Sequence, residues 1–155
     1  IQKSLDESDP QKFQVINGGV SGSTTASGIS RLRWFLKAKP SILVVALGAN
    51  DGLRGIKVSE SQKNLEKVIL LALKNDLKVI LCEMHLPTNY GAAYRKNFNK
   101  MFKDVQKKYQ TGFIPFMLDG VGGKKEFNIE DGIHPNIEGH KIVAKNVLKY
   151  LKEYL

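Results

Sequence analysis

Two short runs constrain this chain more than anything else in it. Ile42 to Leu47 (ILVVAL) and Lys78 to Cys82 (KVILC) are continuous apolar segments rich in branched residues. A strand with one wet face alternates apolar and polar residues, so a run without alternation marks a strand buried on both faces. Phe13 to Ile16 reads as a further strand and Phe113 to Phe116 as a weaker one. Between them lie helical patterns at about Thr25 to Leu36, Ser59 to Lys74 and Ala92 to Tyr109. A last helix, from about Asn136 to Tyr154, carries Ile142, Val143, Val147, Leu148 and Leu151 on one face. Ser59 followed by Gln62 has the spacing of a capping box and predicts a helix start there. Strands alternating with helices predict an α/β fold, a parallel sheet covered on both sides.

Length and composition narrow the class further. At 155 residues and 17.3 kDa the chain is one domain's worth of sequence. An apolar fraction of 42% with 25% charged residues excludes disorder and collagen-like structure. The single cysteine, Cys82, excludes an internal disulfide. The longest apolar stretch, Ile42 to Gly48, is too short to cross a bilayer. No charged-then-apolar signal sequence opens it, as would also hold for a processed start. The net charge of +9 favours acidic partners such as nucleic acid. Yet the 24 basic residues divide evenly about Arg95, and many sit at helical spacing, as in Lys141, Lys145, Lys149 and Lys152. That is the pattern of a solvated surface, and no nucleic-acid motif accompanies it.

In parallel sheets ligands bind beyond the carboxyl ends of the strands, so three segments matter. The first is Asn17-Gly18-Gly19-Val20-Ser21-Gly22-Ser23-Thr24-Thr25. It lacks both the G-x-G-x-x-G dinucleotide pattern and the G-K-[ST] of a P-loop. It fits either a tight strand-to-helix turn or a backbone site for negative charge. The second is Gly48-Ala49-Asn50-Asp51-Gly52. Asn50 could aim amide donors at an oxyanion, while Asn-Asp-Gly is also turn composition. The third is Asp131-Gly132-Ile133-His134-Pro135. An Asp three residues before a His on a bent loop can hold one ring nitrogen, as a general base requires. The same segment also fits a helix-capping loop. Asp131, His134, Glu138 and His140 cluster in sequence but match no zinc spacing, since Pro135 interrupts the helical register. Cys82, inside a buried strand, reads as an inert core thiol rather than a nucleophile paired with His85.

Taken together, in this order and spacing, the three segments resemble the blocks of the SGNH (GDSL) hydrolase family, bacterial thioesterase I, arylesterase and lysophospholipase branch. The stretch V-I-N-G-G-V-S-G-S-T-T (15–25) is similar to the block whose Gly donates a backbone N–H to the oxyanion, here Gly22. The stretch L-G-A-N-D-G-L-R-G (47–55) is similar to the block whose Asn donates its amide, here Asn50. D-G-I-H-P (131–135) is similar to the block carrying the triad acid and base, here Asp131 and His134. Leu86 to Gly91 (LPTNYG) also resembles a loop of that branch.

The resemblance implies a single SGNH-like domain over residues 1–155 with a three-layer α/β/α, flavodoxin-like parallel sheet. It implies a serine esterase or thioesterase that acts on small-molecule aryl esters, acyl-CoA thioesters or lysophospholipids. The apolar surface around Leu53 and Leu86 would line an acyl site. No metal or organic cofactor, nucleic acid or transmembrane segment is implied, and look-alikes are often exported to the periplasm. One element departs from the family pattern. No serine here follows Gly-Asp at the end of a strand, so the nucleophile is expected upstream of Ile1. The family's first strand would be missing with it, although strand 1 is internal in the order 2-1-3-4-5. Its loss would leave backbone groups unpaired at about 1–3 kcal/mol each, which predicts that these residues are not the entire polypeptide. The alternative is a truncated or catalytically dead member that acts as a ligand-binding module.

Overall fold

The computed structural model describes residues 1–10 and 12–155. In chain order the main elements are α1 (Gln2–Ser8), α2 (Gly28–Phe35), β1 (Ile42–Val45), α3 (Ala49–Leu53), α4 (Val58–Leu73), β2 (Lys78–Cys82), α5 (Ala92–Tyr109), β3 (Gly112–Ile114) and α6 (Ile137–Leu151). They form two compact units.

The first unit comprises Val20–Phe116 with Tyr154. Its sheet has the order β1-β2-β3, all parallel, with Leu43 opposite Val79 and Leu81 opposite Phe113. Neighbouring parallel strands joined by helical crossovers carry those helices on one face, because such crossovers are right-handed. Accordingly α4 packs against α2 on one side and α5 on the other. The core is built from Leu65 and Ile69 of α4, Ile80 and Leu81 of β2, and Phe98, Phe102 and Val105 of α5. Phe98 and Phe102 meet edge to face at 5.3 Å, a favourable geometry for two quadrupolar rings.

The second unit comprises Ile1–Gly19 and Met117–Glu153 with Leu155. It holds α1, α6 and a single turn of 3₁₀-helix at Lys125–Phe127. The apolar stripe expected on the last helix is buried at Val143, Val147, Leu148 and Leu151, and half-buried at Ile142. Lys141, Lys145, Lys149 and Lys152 are exposed.

The parallel α/β sheet matches expectation, with β2 and α5 at the expected bounds. Four local readings need correction. Phe13 to Ile16 is not a strand. No strand among the described residues lies beside it, and the Gln2 side chain takes the ladder's place. Gln2 Nε2 donates to the Phe13 carbonyl at 2.8 Å, and Gln2 Oε1 accepts the Val15 N–H at 2.6 Å. The ILVVAL run is strand only to Val45, at the edge of its sheet. Val45 is 3% exposed, whereas Val44 on the opposite face is 36% exposed. β3 stops at Ile114, because Pro115 has no N–H for the ladder. Finally, α4 starts at Val58 behind an extended Lys57, and Ser59 makes no capping bond.

Candidate active site

The Asp131–His134 loop is closed by short backbone bonds. The Ile129 N–H donates to the His134 carbonyl at 2.9 Å, and the Gly132 N–H to the Ile129 carbonyl at 2.9 Å. Gly132 takes φ +68, the bend expected of it. Within this loop His134 Nδ1 lies 2.6 Å from Asp131 Oδ2. Asp131 Oδ1 accepts the backbone N–H groups of Ile133 at 2.9 Å and His134 at 3.0 Å. These backbone bonds, then the imidazole, hold the Asp131 carboxyl down at about 2. A carboxylate can only accept, so in the neutral imidazole the proton sits on Nδ1 and the lone pair on Nε2. Both side chains are exposed. A cavity of about 300 Å³ opens beside them, lined by Gly123, Lys125, Asn128, Ile129, Glu130 and Gly132.

Three residues given no part in the site by the sequence, Asn136 among them as a helix start only, fix this loop. Asn136 caps α6 by accepting the Gly139 N–H at 3.0 Å, and its Nδ2 donates to the Glu126 carbonyl at 2.9 Å. Asn128, buried, donates to the carbonyls of Val121 and Lys124 at 2.7 Å each. Gly139 lets the backbone close in, since a Cβ there would sit 2.2 Å from the Phe127 carbonyl oxygen. An Asn at a helix start is a legible cap signal; the other three bonds depend on how the loop folds back.

The other two segments lie in the sheet-bearing unit. Asn50 occupies the first turn of α3, so the turn expected at Asn-Asp-Gly is a short helix instead. Its side-chain amide has no hydrogen-bond partner among the described residues. Asp51, read as part of a turn, is 1% exposed and bonded on both oxygens. Oδ2 accepts the Thr25 N–H at 2.8 Å, while Oδ1 accepts the hydroxyls of Thr25 at 2.5 Å and Ser61 at 2.9 Å. Gly22 sits at φ +70, and its carbonyl accepts from Arg54 Nη2 at 2.9 Å. The segment Gly22–Thr25 is therefore tied to α3 and its C-cap at two points, Asp51 and Arg54.

Cys82 is fully buried, and burial pushes its thiol up to about 12. His85 faces Glu83 at 3.4 Å and stacks on Phe116 at 4.4 Å. Glu138 pairs with Lys141 at 2.6 Å. Among the described residues no three His, Cys, Asp or Glu side chains are placed to hold a metal, and no helix is long and apolar enough to cross a membrane.

Residues 2–142 match the GDSL-like Lipase/Acylhydrolase family. The sequence is 36% identical over 156 residues to esterase TesA of Pseudomonas aeruginosa, covering 100% of this chain and 77% of that protein. It is 30% identical over 149 residues to thioesterase 1/protease 1/lysophospholipase L1 of Escherichia coli K12, covering 96% of this chain and 72% of that one. The crystal structure of TesA superposes with a TM-score of 0.94 at 37% identity, covering 99% of this chain and 86% of that one.

Proposed function

The chain belongs to the GDSL-like lipase/acylhydrolase family of carboxylic ester hydrolases, and on that premise we propose that it cleaves acyl esters or thioesters through an acyl-enzyme. The nucleophile in this reading is a serine upstream of Ile1. His134 Nε2 takes the serine proton as the hydroxyl attacks the acyl carbonyl, and later delivers it to the leaving group. Asp131 holds the tautomer that leaves Nε2 free and stabilises the imidazolium. The Gly22 N–H and the Asn50 amide donate to the oxyanion as negative charge develops on the carbonyl oxygen. Both groups lack a partner among the described residues, as donors reserved for a transient charge would.

The substrate class follows the names of the relatives, esterase and thioesterase 1/lysophospholipase L1. Half-buried Leu53 offers apolar surface for an acyl chain, whereas Leu86, expected beside it, is buried in the core and offers none. Leu86 is packed so closely on α3 that a Cβ at Gly52 would lie 2.4 Å from it.

One observation carries the reading: the 2.6 Å contact between His134 Nδ1 and Asp131 Oδ2. The test is hydrolysis of p-nitrophenyl esters by the full polypeptide and by its His134→Ala variant. Loss of a catalytic imidazole should lower kcat by about 10⁴–10⁶. A variant within tenfold of the parent would remove His134 from the reaction.

A further inference from the structure

We infer that Arg54 is a positioning residue that sets the oxyanion site by holding the Gly22 peptide to the helix bearing Asn50. The inference rests on the catalytic reading above and adds a residue to it. Gly22 lies in an exposed loop, and glycine adopts positive and negative φ with similar ease. Its φ of +70 therefore needs an external restraint if the N–H is to keep one direction. The donor N–H lies in the Ser21–Gly22 peptide, and the Gly22–Ser23 peptide on the other side of the Gly22 Cα is held at both ends. Its carbonyl accepts from Arg54 Nη2 at 2.9 Å, and its N–H, that of Ser23, donates to the Val20 carbonyl at 3.2 Å. A charge-assisted bond from a guanidinium is the stronger of two such restraints.

The other end of Arg54 is tied to the second donor. Its backbone N–H, at the C-cap of α3, donates to the Asn50 carbonyl at 3.2 Å. Two hydrogen bonds through one residue thus connect Gly22 with Asn50. On the far side, the Thr25–Asp51 bonds fix where the segment enters its helix. Asp51 is buried and anchors the fold, whereas Arg54 is exposed, and among the described residues its side chain bonds only the Gly22 carbonyl at the loop tip. An oxyanion site works only if its donors are already in place when charge develops. A displacement of about 1 Å can cost on the order of 10² in rate.

The experiment compares kcat and KM for a p-nitrophenyl ester in the full polypeptide and its Arg54→Met, Arg54→Gln, Arg54→Lys and Asn50→Ala variants. Arg54→Met and Arg54→Gln should lower kcat by about 10–10², with KM within twofold and an unchanged pH profile. Arg54→Lys keeps a cationic donor and should restore most of the loss. Asn50→Ala should lower kcat by about 10²–10³. Arg54→Met at parental kcat, beside a full Asn50 effect, overturns the inference alone. A rise in KM at constant kcat also overturns it, by making Arg54 a substrate-binding group. An Asn50→Ala variant within twofold of the parent overturns the catalytic reading, and this inference with it.

Discussion

His134 Nδ1 and Asp131 Oδ2 stand 2.6 Å apart, on a carboxylate whose other oxygen is already taken by two backbone N–H groups. Asparagine at 131 could keep those two backbone bonds only by turning its NH₂ toward His134. The imidazole would then accept at Nδ1 and carry its proton on Nε2, the wrong tautomer for a base. Asp131→Asn should lower kcat by about 10⁴ while the loop geometry survives. Steady-state kinetics beside a crystal structure of the variant would check both halves.

The same contacts set a pH dependence. The folded-state value of Asp131 is held at about 2, below its ordinary 3.8, chiefly by the backbone N–H of His134 and then that of Ile133. A carboxyl depressed on folding adds stability that is present above the ordinary value and lost as pH falls through the folded one. The Asp131 contribution should therefore hold at neutral pH and fade between about 4 and about 2. In kcat/KM, Asp131 adds no ionisation step above that window. Denaturant melts from pH 2 to 7, on the parent and Asp131→Asn, would show the two stability curves converging at low pH.

Asp51 accepts three bonds from Thr25 and Ser61 while almost fully buried. Asparagine there replaces an accepting oxygen by an NH₂ that faces another donor. Asp51→Asn should cost about 2–3 kcal/mol, the penalty for buried polar groups left unpaired. Urea unfolding measures it, and a midpoint equal to the parent's would mean the network contributes nothing.

Gly139 has no room for a methyl group, because the Phe127 carbonyl occupies its place. Gly139→Ala should destabilise by about 1–3 kcal/mol through overpacking, despite alanine's better helix propensity. A thermal midpoint at or above the parent's would contradict the close approach.

What the sequence revealed, and what it hid, divides on the range of the interactions. β2 was legible because Val79 to Cys82 are apolar without a break and all buried. The Asp131–His134 pair was legible because three residues and one glycine suffice to close it. Asp51 was hidden because its partners Thr25 and Ser61 lie 26 and 10 residues away, while its immediate neighbours spell a turn. Phe13 to Ile16 was misread because a strand is defined by a partner that local pattern cannot supply, and here Gln2 supplies the bonds instead. Arg54 carried no local signal, since its target, the Gly22 carbonyl, is 32 residues upstream.

Serine hydrolase chemistry driven by His134 can be read from the intact mass of the full polypeptide before and after a fluorophosphonate, followed by peptide mapping. One adduct should form, on a serine upstream of Ile1, and far more slowly in His134→Ala. A folded protein that takes no adduct, or takes it on a serine between Ile1 and Leu155, would contradict it.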